Sequence, residues 1–477
     1  MTPTMYRGLV RAVMAACAVA LTAACQPVRP SPGPEPAAPL AAREWTAQSP
    51  APEIAAWAWQ GCQRASGGAG PCVERALVSL IDQAGVGKSM EVLDTLAGRE
   101  PVVKALAHSL AHGLGISAYR SPETVAQTFA GCPASQMSGC YHGVVQGYFL
   151  DLGAKGQSID RTVLDGLCAP HGDQPFLYFQ CAHGMGHGLV TVHQNHLPMA
   201  LEACDQASDA VVRESCYGGA FMENIVNALH PHHTAAGHAQ TQGGEHVQHA
   251  SADAHPADGS HDAHAGHGAA SGHSEWKALD PADPRYPCSV VEEKYQSACY
   301  NMQSSPVMQW TQGDLEATAR MCAGAPEGMR LACFSGLGRE LTAWMAQDHG
   351  RSIEACRRVG MVTGSREQSW CLVGAAETLI NQTADARDGI RFCRAVDGAE
   401  AKRECYEAAG RFMRSLVATP EGRAEQCALA EPEHVASCRQ GAGLDSSASG
   451  DRPAAGRQLA SGQADLHPPI HRSTSDR

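Results

Sequence analysis

Three stretches of the 477-residue chain repeat one arrangement of imidazoles. Cys181-Ala-His183-Gly-Met-Gly-His187-Gly and Cys140-Tyr-His142-Gly-Val-Val-Gln146-Gly align without a gap, and Leu106-Ala-His108-Ser-Leu-Ala-His112-Gly extends the frame. Positions i and i+4 of a helix share a face about 6 Å apart, close enough for two side chains to hold one divalent ion. If the three segments are helices lying side by side, about 8–10 Å apart, then His108, His112, His142, Gln146, His183 and His187 form one patch. Met185 is a further candidate ligand through its thioether. Such donors suit Cu(II), Zn(II) or Ni(II), and raw affinity favours copper. The intervals Ser109-Leu110-Ala111 and Gly184-Met185-Gly186 lack the Glu of His-Glu-x-x-His, so zincin chemistry loses its general base. No Cys-x-x-Cys-His supports a haem.

In the following segment, Cys216-Tyr-Gly218-Gly-Ala-Phe-Met222-Glu223, the histidines are gone. Glu223 is the candidate base if the column serves a metal-dependent reaction, with His108, His112, His183 and His187 as ligands. The competing reading is a polar face on which histidines hydrogen-bond across the stack. Gly113, Gly147 and Gly188 follow the second position, each at a helical cost of about 1 kcal/mol. Their recurrence implies a close approach, of a neighbouring helix or of a ligand.

A second source of imidazole runs from His230 to His273, with eleven histidines among Gly, Ala, Ser, Asp and Gln. His230, His232 and His233 open it. Almost no large apolar residue is present, so the stretch cannot build a core and reads as a disordered insert. It resembles the His-rich, acidic loops of periplasmic metal-uptake proteins, which implies weak, multi-site metal binding that is lost when histidine protonates.

The elements that must position these groups are written in the cysteines. Apart from Cys17 and Cys25, eighteen fall into nine consecutive pairs. In chain order these are Cys62 with Cys72, Cys132 with Cys140, Cys168 with Cys181, Cys204 with Cys216 and Cys288 with Cys299. Cys322 with Cys333, Cys356 with Cys371, Cys393 with Cys405 and Cys427 with Cys438 complete the set. First members recur every 36 residues from Cys132 to Cys204 and every 34–37 from Cys288 to Cys427, the length of one helical hairpin in a stacked array. Start signals precede several first cysteines: Ser121-Pro122-Glu123, Ser352 and Thr419-Pro420-Glu421. Longer apolar-periodic stretches follow the second cysteines, and period-2 alternation is nowhere sustained. Neighbour pairing is the expected connectivity among those the sequence permits, each bridge contributing roughly 2–4 kcal/mol. Thiolate zinc sites prefer Cys-x2-4-Cys, which none of these pairs provides. Between Cys72 and Cys132 there is room for one unit without cysteines, with helices over Glu91–Ala97 and Pro101–Tyr119. The fold class is therefore all-α, an α-solenoid of about ten stapled hairpins. Its period resembles tetratricopeptide and disulfide-stapled Sel1-like arrays in architecture, without their consensus residues.

Composition fixes the surroundings. Lys+Arg number 36 against 49 Asp+Glu, a formal charge of −13 with no basic run, which argues against nucleic acid. Twenty cysteines argue against the reducing cytosol. Residues 1–24 carry Arg7 and Arg11 followed by a short apolar run, a secretory signal pattern. The run ends in Leu21-Thr22-Ala23-Ala24-Cys25, which resembles the lipobox of bacterial lipoproteins, with Thr22 where Leu is usual. The resemblance implies that Cys25 becomes a diacylated N-terminus facing the periplasm or the cell surface. Residues 25–53 then read as a Pro-rich tether, 54–230 as repeats 1–5, 231–283 as the His-rich insert, 284–441 as repeats 6–10 and 442–477 as a disordered tail. Two functions follow as expectations: an envelope-anchored protein that binds or buffers transition metal without catalysing a reaction, or a scaffold gripping an envelope protein or peptide.

Overall fold

The computed structural model describes residues 45–229 and 276–445, and these contain eighteen α-helices and no strand. The first half comprises α1 (Ala51–Cys62), α2 (Ala69–Arg99), α3 (Pro101–Ala118), α4 (Val125–Ala130), α5 (Gly139–Ala154), α6 (Arg161–Cys168), α7 (Pro175–Val192), α8 (Leu197–Cys204) and α9 (Ala210–Leu229). The second half comprises α10 (Glu293–Trp310), α11 (Leu315–Ala323), α12 (Arg330–Trp344), α13 (His349–Thr363), α14 (Ser365–Thr383), α15 (Ala386–Arg394), α16 (Ala399–Leu416), α17 (Pro420–Cys427) and α18 (Val435–Gly441). The signal segment with Cys25, the insert that begins at His230 and includes His232 and His233, and the tail beyond 445 lie outside the described residues.

All nine neighbouring cysteine pairs are disulfides, with Cα–Cα separations of 5.3–5.8 Å. In the first half Cys62 is bonded to Cys72, Cys132 to Cys140, Cys168 to Cys181 and Cys204 to Cys216. In the second half Cys288 is bonded to Cys299, Cys322 to Cys333, Cys356 to Cys371, Cys393 to Cys405 and Cys427 to Cys438. Each but the last ties a shorter helix or turn to the first two turns of a longer helix, and the last joins the short helices α17 and α18. The cysteine-free unit is built from the second half of α2, which breaks at Gly85 (φ 79°), and from α3. One unit departs from the hairpin pattern. Residues 276–292 run through turns, and Cys288 reaches Cys299 on α10 without a preceding helix among the described residues. Pro281, Pro284 and Pro287 supply no N–H there, so helical hydrogen bonding cannot propagate. At the N-terminus the fold starts earlier than the tether reading allows. Trp45 is buried against Trp57, and α1 opens at Ala51. Pro50 and Pro52 fall where a first turn tolerates them.

The start signals were partly misplaced by the sequence. Thr419 does cap α17, accepting from the Gly422 amide at 3.2 Å. Ser121 makes no capping bond, and Ser352 lies inside α13 bonded to the Asp348 carbonyl. The caps are mostly aspartates: Asp160, Asp314, Asp348 and Asp385 each accept from a first-turn amide. The long helices α7, α10 and α12 end by a shared device. The amides of Asn195, Gly313 and Gln347 each bond five residues back, after residues with positive φ such as Gln194, Gln312 and Ala346.

Each long helix packs on the next, in the order α2, α3, α5, α7, α9, α10, α12, α14, α16, and the short α18 closes the row. Small residues make the contact backbone-tight. A Cβ added to Gly219 would stand 1.9 Å from the His183 carbonyl oxygen, and one added to Gly186 would stand 2.0 Å from the Cys216 carbonyl oxygen. Gly338 and Gly374 repeat the arrangement between α12 and α14, the former against the Cys371 carbonyl. The row also curls onto itself: α16 touches α7, α14 touches the turn Gln136–Ser138, and Gln180 Nε2 donates to Asn381 Oδ1 at 3.2 Å. The inner face of α5 and α7 is thereby covered.

This packing predicts opposite outcomes for two glycine-to-alanine changes. Gly219→Ala forces α9 away from α7 and is expected to cost more than about 2 kcal/mol in urea unfolding, as overpacked cores do. Gly98→Ala, in α2 with nothing near its missing Cβ, is expected to be neutral or to stabilise by about 0.5–1 kcal/mol. Equal effects at the two sites would contradict the packing described.

Candidate metal centre

Five imidazoles meet where α3, α5 and α7 cross. Ring centroids lie 4.7 Å apart for His108–His112, 5.2 Å for His112–His142, 4.9 Å for His112–His187, 4.9 Å for His142–His183 and 5.1 Å for His183–His187. Candidate ligand atoms fall within 4.8 Å of one another in two triads, His108–His112–His142 and His142–His183–His187. His142 belongs to both. Except for His108 and His112, which keep some accessible surface, the rings belong to buried residues.

The column is staggered relative to the gapless alignment of the sequences. A Cβ on Gly143 would meet the His112 carbonyl at 2.1 Å, just as one on Gly219 would meet His183, and one on Gly184 would approach the His142 Cα at 3.2 Å. Level positions are therefore His112, His142 and His183. His108 sits one turn earlier and His187 one turn later, which is what completes a triad on each side of His142. The cysteine-free unit had no disulfide to mark its register, so the frame slipped by four residues. The recurrent glycines have a separate role: Gly147 and Gly188 make room for Tyr119 and Phe149 of the preceding helix, at 2.7 and 2.5 Å from the missing Cβ.

Each ring is held by one nitrogen. His108 Nδ1 donates to the Gln136 carbonyl at 2.8 Å, and His112 Nδ1 donates to Gln146 Oε1 at 2.7 Å. His142 Nε2 donates to Gln180 Oε1 at 2.9 Å, with that amide oriented by its own bond to Asn381. His187 Nδ1 donates to Glu223 Oε2 at 2.8 Å, and the His183 ring bonds the Ser215 backbone. Glu223 also receives Asn227 at 3.3 Å and a bond from Gln146. The opposite nitrogens His112 Nε2, His142 Nδ1 and His187 Nε2 are buried without any partner. A buried polar atom left so costs about 1–3 kcal/mol; His112 and His142 fall in the first triad, and His142 and His187 in the second. The Gln136 carbonyl is aimed by strained backbone: Gln136, Met137 and Ser138 all have φ of 53–64°, at about 1–3 kcal/mol each.

Burial sets the protonation. It holds His108, His112, His142 and His183 below the ordinary imidazole range and lowers His187 to about 3, while raising Glu223 to about 7. All five rings are thus neutral near pH 7, the form that binds metal.

The sequence-predicted residues divide accordingly. His108, His112, His142, His183 and His187 come together, and Gln146 joins them as a hydrogen-bond acceptor. Met185 does not, because two residues along a helix is about 200° round it, and its side chain is packed in the hydrophobic core. Glu223 is there as an anchor for His187. Gln136, Gln180, Asn227 and Asn381 were missed, since residues distant in sequence that meet only after folding leave no spacing signal. No helix among the described residues is long and apolar enough to cross a membrane. No protein family, curated protein or solved structure matches this chain.

For metal-free protein the sign of the pH dependence is fixed. Histidines with depressed folded-state pKa give stability that is present above about pH 6.5 and lost as pH falls, each at up to about 1.4 kcal/mol per pH unit. Glu223, raised to about 7, acts oppositely, its contribution being lost as pH rises from 4.5 to 7. Glu74, likewise raised to about 7, acts as Glu223 does, and so do Glu214, Glu377 and Glu404. The eight depressed histidines, with His171, His193 and His349 added to the cluster, outweigh these five. Urea unfolding should show stability falling steadily from pH 6.5 to 5, and falling more steeply in Glu223→Gln; a flat profile would contradict buried neutral imidazoles.

Proposed function

We propose that this is an exported transition-metal-binding protein whose ion sits within the buried histidine cluster. The observation that carries the reading is the set of three partnerless ring nitrogens, each on an imidazole whose other nitrogen is already anchored. Anchoring the N–H fixes the tautomer and orients the lone pair, the role outer-shell acceptors play around bound metals. The donors are nitrogen only, which suits Cu(II), Zn(II) or Ni(II). We read the surrounding architecture as a curled α-solenoid of about ten disulfide-stapled units. The nine disulfides support export to an oxidising compartment, and the lipobox-like segment at Cys25 supports anchoring to the bacterial envelope. Binding or buffering needs no further catalytic group. The scaffold reading, in which the inner face grips an envelope protein or peptide, gains nothing from an inner face covered by α14 and α16.

The experiment is metal analysis of protein lacking residues 237–274, which removes most of the His-rich insert. One equivalent of Zn(II) or Cu(II) per chain is expected to remain. His142→Ala, which strikes both triads, should abolish it, whereas His187→Ala should weaken it. His142 offers only Nδ1, so two equivalents at the cluster would contradict a shared centre. No retained metal in the deletion protein would leave the histidines as polar lining.

A further inference from the structure

Gln180 joins two distant parts of the chain through one amide. It precedes Cys181 on α7 and is buried, as His142 is. Its Oε1 accepts the His142 Nε2–H at 2.9 Å, and its Nε2 donates to Asn381 Oδ1 at 3.2 Å. Asn381 stands in the last turn of α14, 201 residues further along the chain. An amide carries its acceptor at one end and its donors at the other. The three groups therefore form a directed relay, from imidazole to amide to amide. In the observed direction the single proton of neutral His142 is on Nε2. Its Nδ1 is then bare, buried and without a partner, and that nitrogen faces the ion in the metal reading. With the relay reversed, Gln180 would offer an N–H to His142 Nε2. The imidazole proton would move to Nδ1 and cover the lone pair.

The far end of the relay is where its direction can be set without touching His142 or Gln180. α14 also touches the turn Gln136–Ser138, whose Gln136 carbonyl anchors His108. One helix of the second half thus stands behind the anchors of two imidazoles. No disulfide holds it there: among the described residues each bond joins cysteines at most 15 residues apart. We propose that Asn381 is a positioning residue for the centre, through which docking of α14 sets the tautomer of His142 and with it the affinity for the ion. This rests on the metal reading above and adds its regulation. Whatever loosens the α14 contact lowers metal affinity, and by linkage a bound ion tightens that contact to the same degree.

The test reverses the polarity of residue 381 in the full chain and reads His142 before and after Zn(II). Asn381→Asp can only accept from Gln180, and Asn381→Lys can only donate to it. In long-range 1H–15N spectra of metal-free protein at pH 7, the parent and Asn381→Asp should show His142 as the Nε2–H tautomer. Asn381→Lys should show Nδ1–H, and Asn381→Ala a mixture of the two. Zn(II) is then titrated while the His142 Nδ1 resonance is followed, which separates the centre from the His-rich insert. Affinity should be no weaker than the parent's in Asn381→Asp and about tenfold or more weaker in Asn381→Lys, the range seen when outer-shell partners are lost. Charge alone would order these affinities the same way, so both changes are repeated in Gln180→Ala, where the relay is broken and their effects should nearly vanish. If Asn381→Lys does not fold, Asn381→Ala carries the comparison. A His142 tautomer indifferent to residue 381 would overturn the inference, as would affinities that respond equally with and without Gln180. A parent whose His142 does not respond to zinc would instead remove the metal reading, a failure that the metal-free tautomers keep distinct from failure of the relay.

Discussion

The centre of this protein depends on a division of labour within each imidazole. One ring nitrogen is fixed by an acceptor from a neighbouring helix or turn, so the other must point inward. The acceptors are unlike one another: a backbone carbonyl from a left-handed turn, two glutamine amides and a carboxylate. They share the ability to accept from a neutral N–H. The covered inner face buries the inward nitrogens and keeps bulk water from them. The fold therefore holds lone pairs in a place where a cation is the natural complement.

Holding that geometry requires the helices to stand at fixed heights. Disulfides set the start of each long helix except α3, and glycines at matched positions let neighbouring backbones touch, so sliding by one turn would drive a carbonyl into a side chain. The same contacts, Gly143 under His112 and Gly219 under His183, set the level of the histidines. Curling of the row brings Asn381 to Gln180 and α14 to the turn at Gln136, so two of the acceptors are themselves positioned by the far half of the chain. Register in the array and orientation in the centre are thus one constraint seen at two scales.

Much of this was legible in the chain. Cysteine spacing disclosed the period and all nine bonds, from Cys62 with Cys72 to Cys427 with Cys438, and the recurrence of His-x3-His disclosed the cluster. What escaped has physical reasons. The cysteine-free unit had no covalent marker, so His108 and His112 were placed one turn off. Aspartate caps were overlooked in favour of Ser-Pro-Glu signals, although Asp accepts from first-turn amides equally well. The left-handed helix ends at Gln194-Asn195 and Ala346-Gln347 carry no glycine to announce them. Met185 was named for its chemistry, yet helical geometry turns it into the core. Gln180 lies on α7 itself and reaches His142 across the α5–α7 contact, whereas Asn381 is far off in sequence and only closure of the row brings it to Gln180.

The central claim concerns which nitrogens carry protons. Long-range 1H–15N correlation spectra of metal-free protein at pH 7 would read it directly, before and after one equivalent of Zn(II). The account predicts Nδ1–H tautomers for His112 and His187 and an Nε2–H tautomer for His142, with the bare nitrogens of these rings shifting when zinc is added. Doubly protonated rings, the opposite tautomers, or bare nitrogens that do not respond to zinc would contradict it.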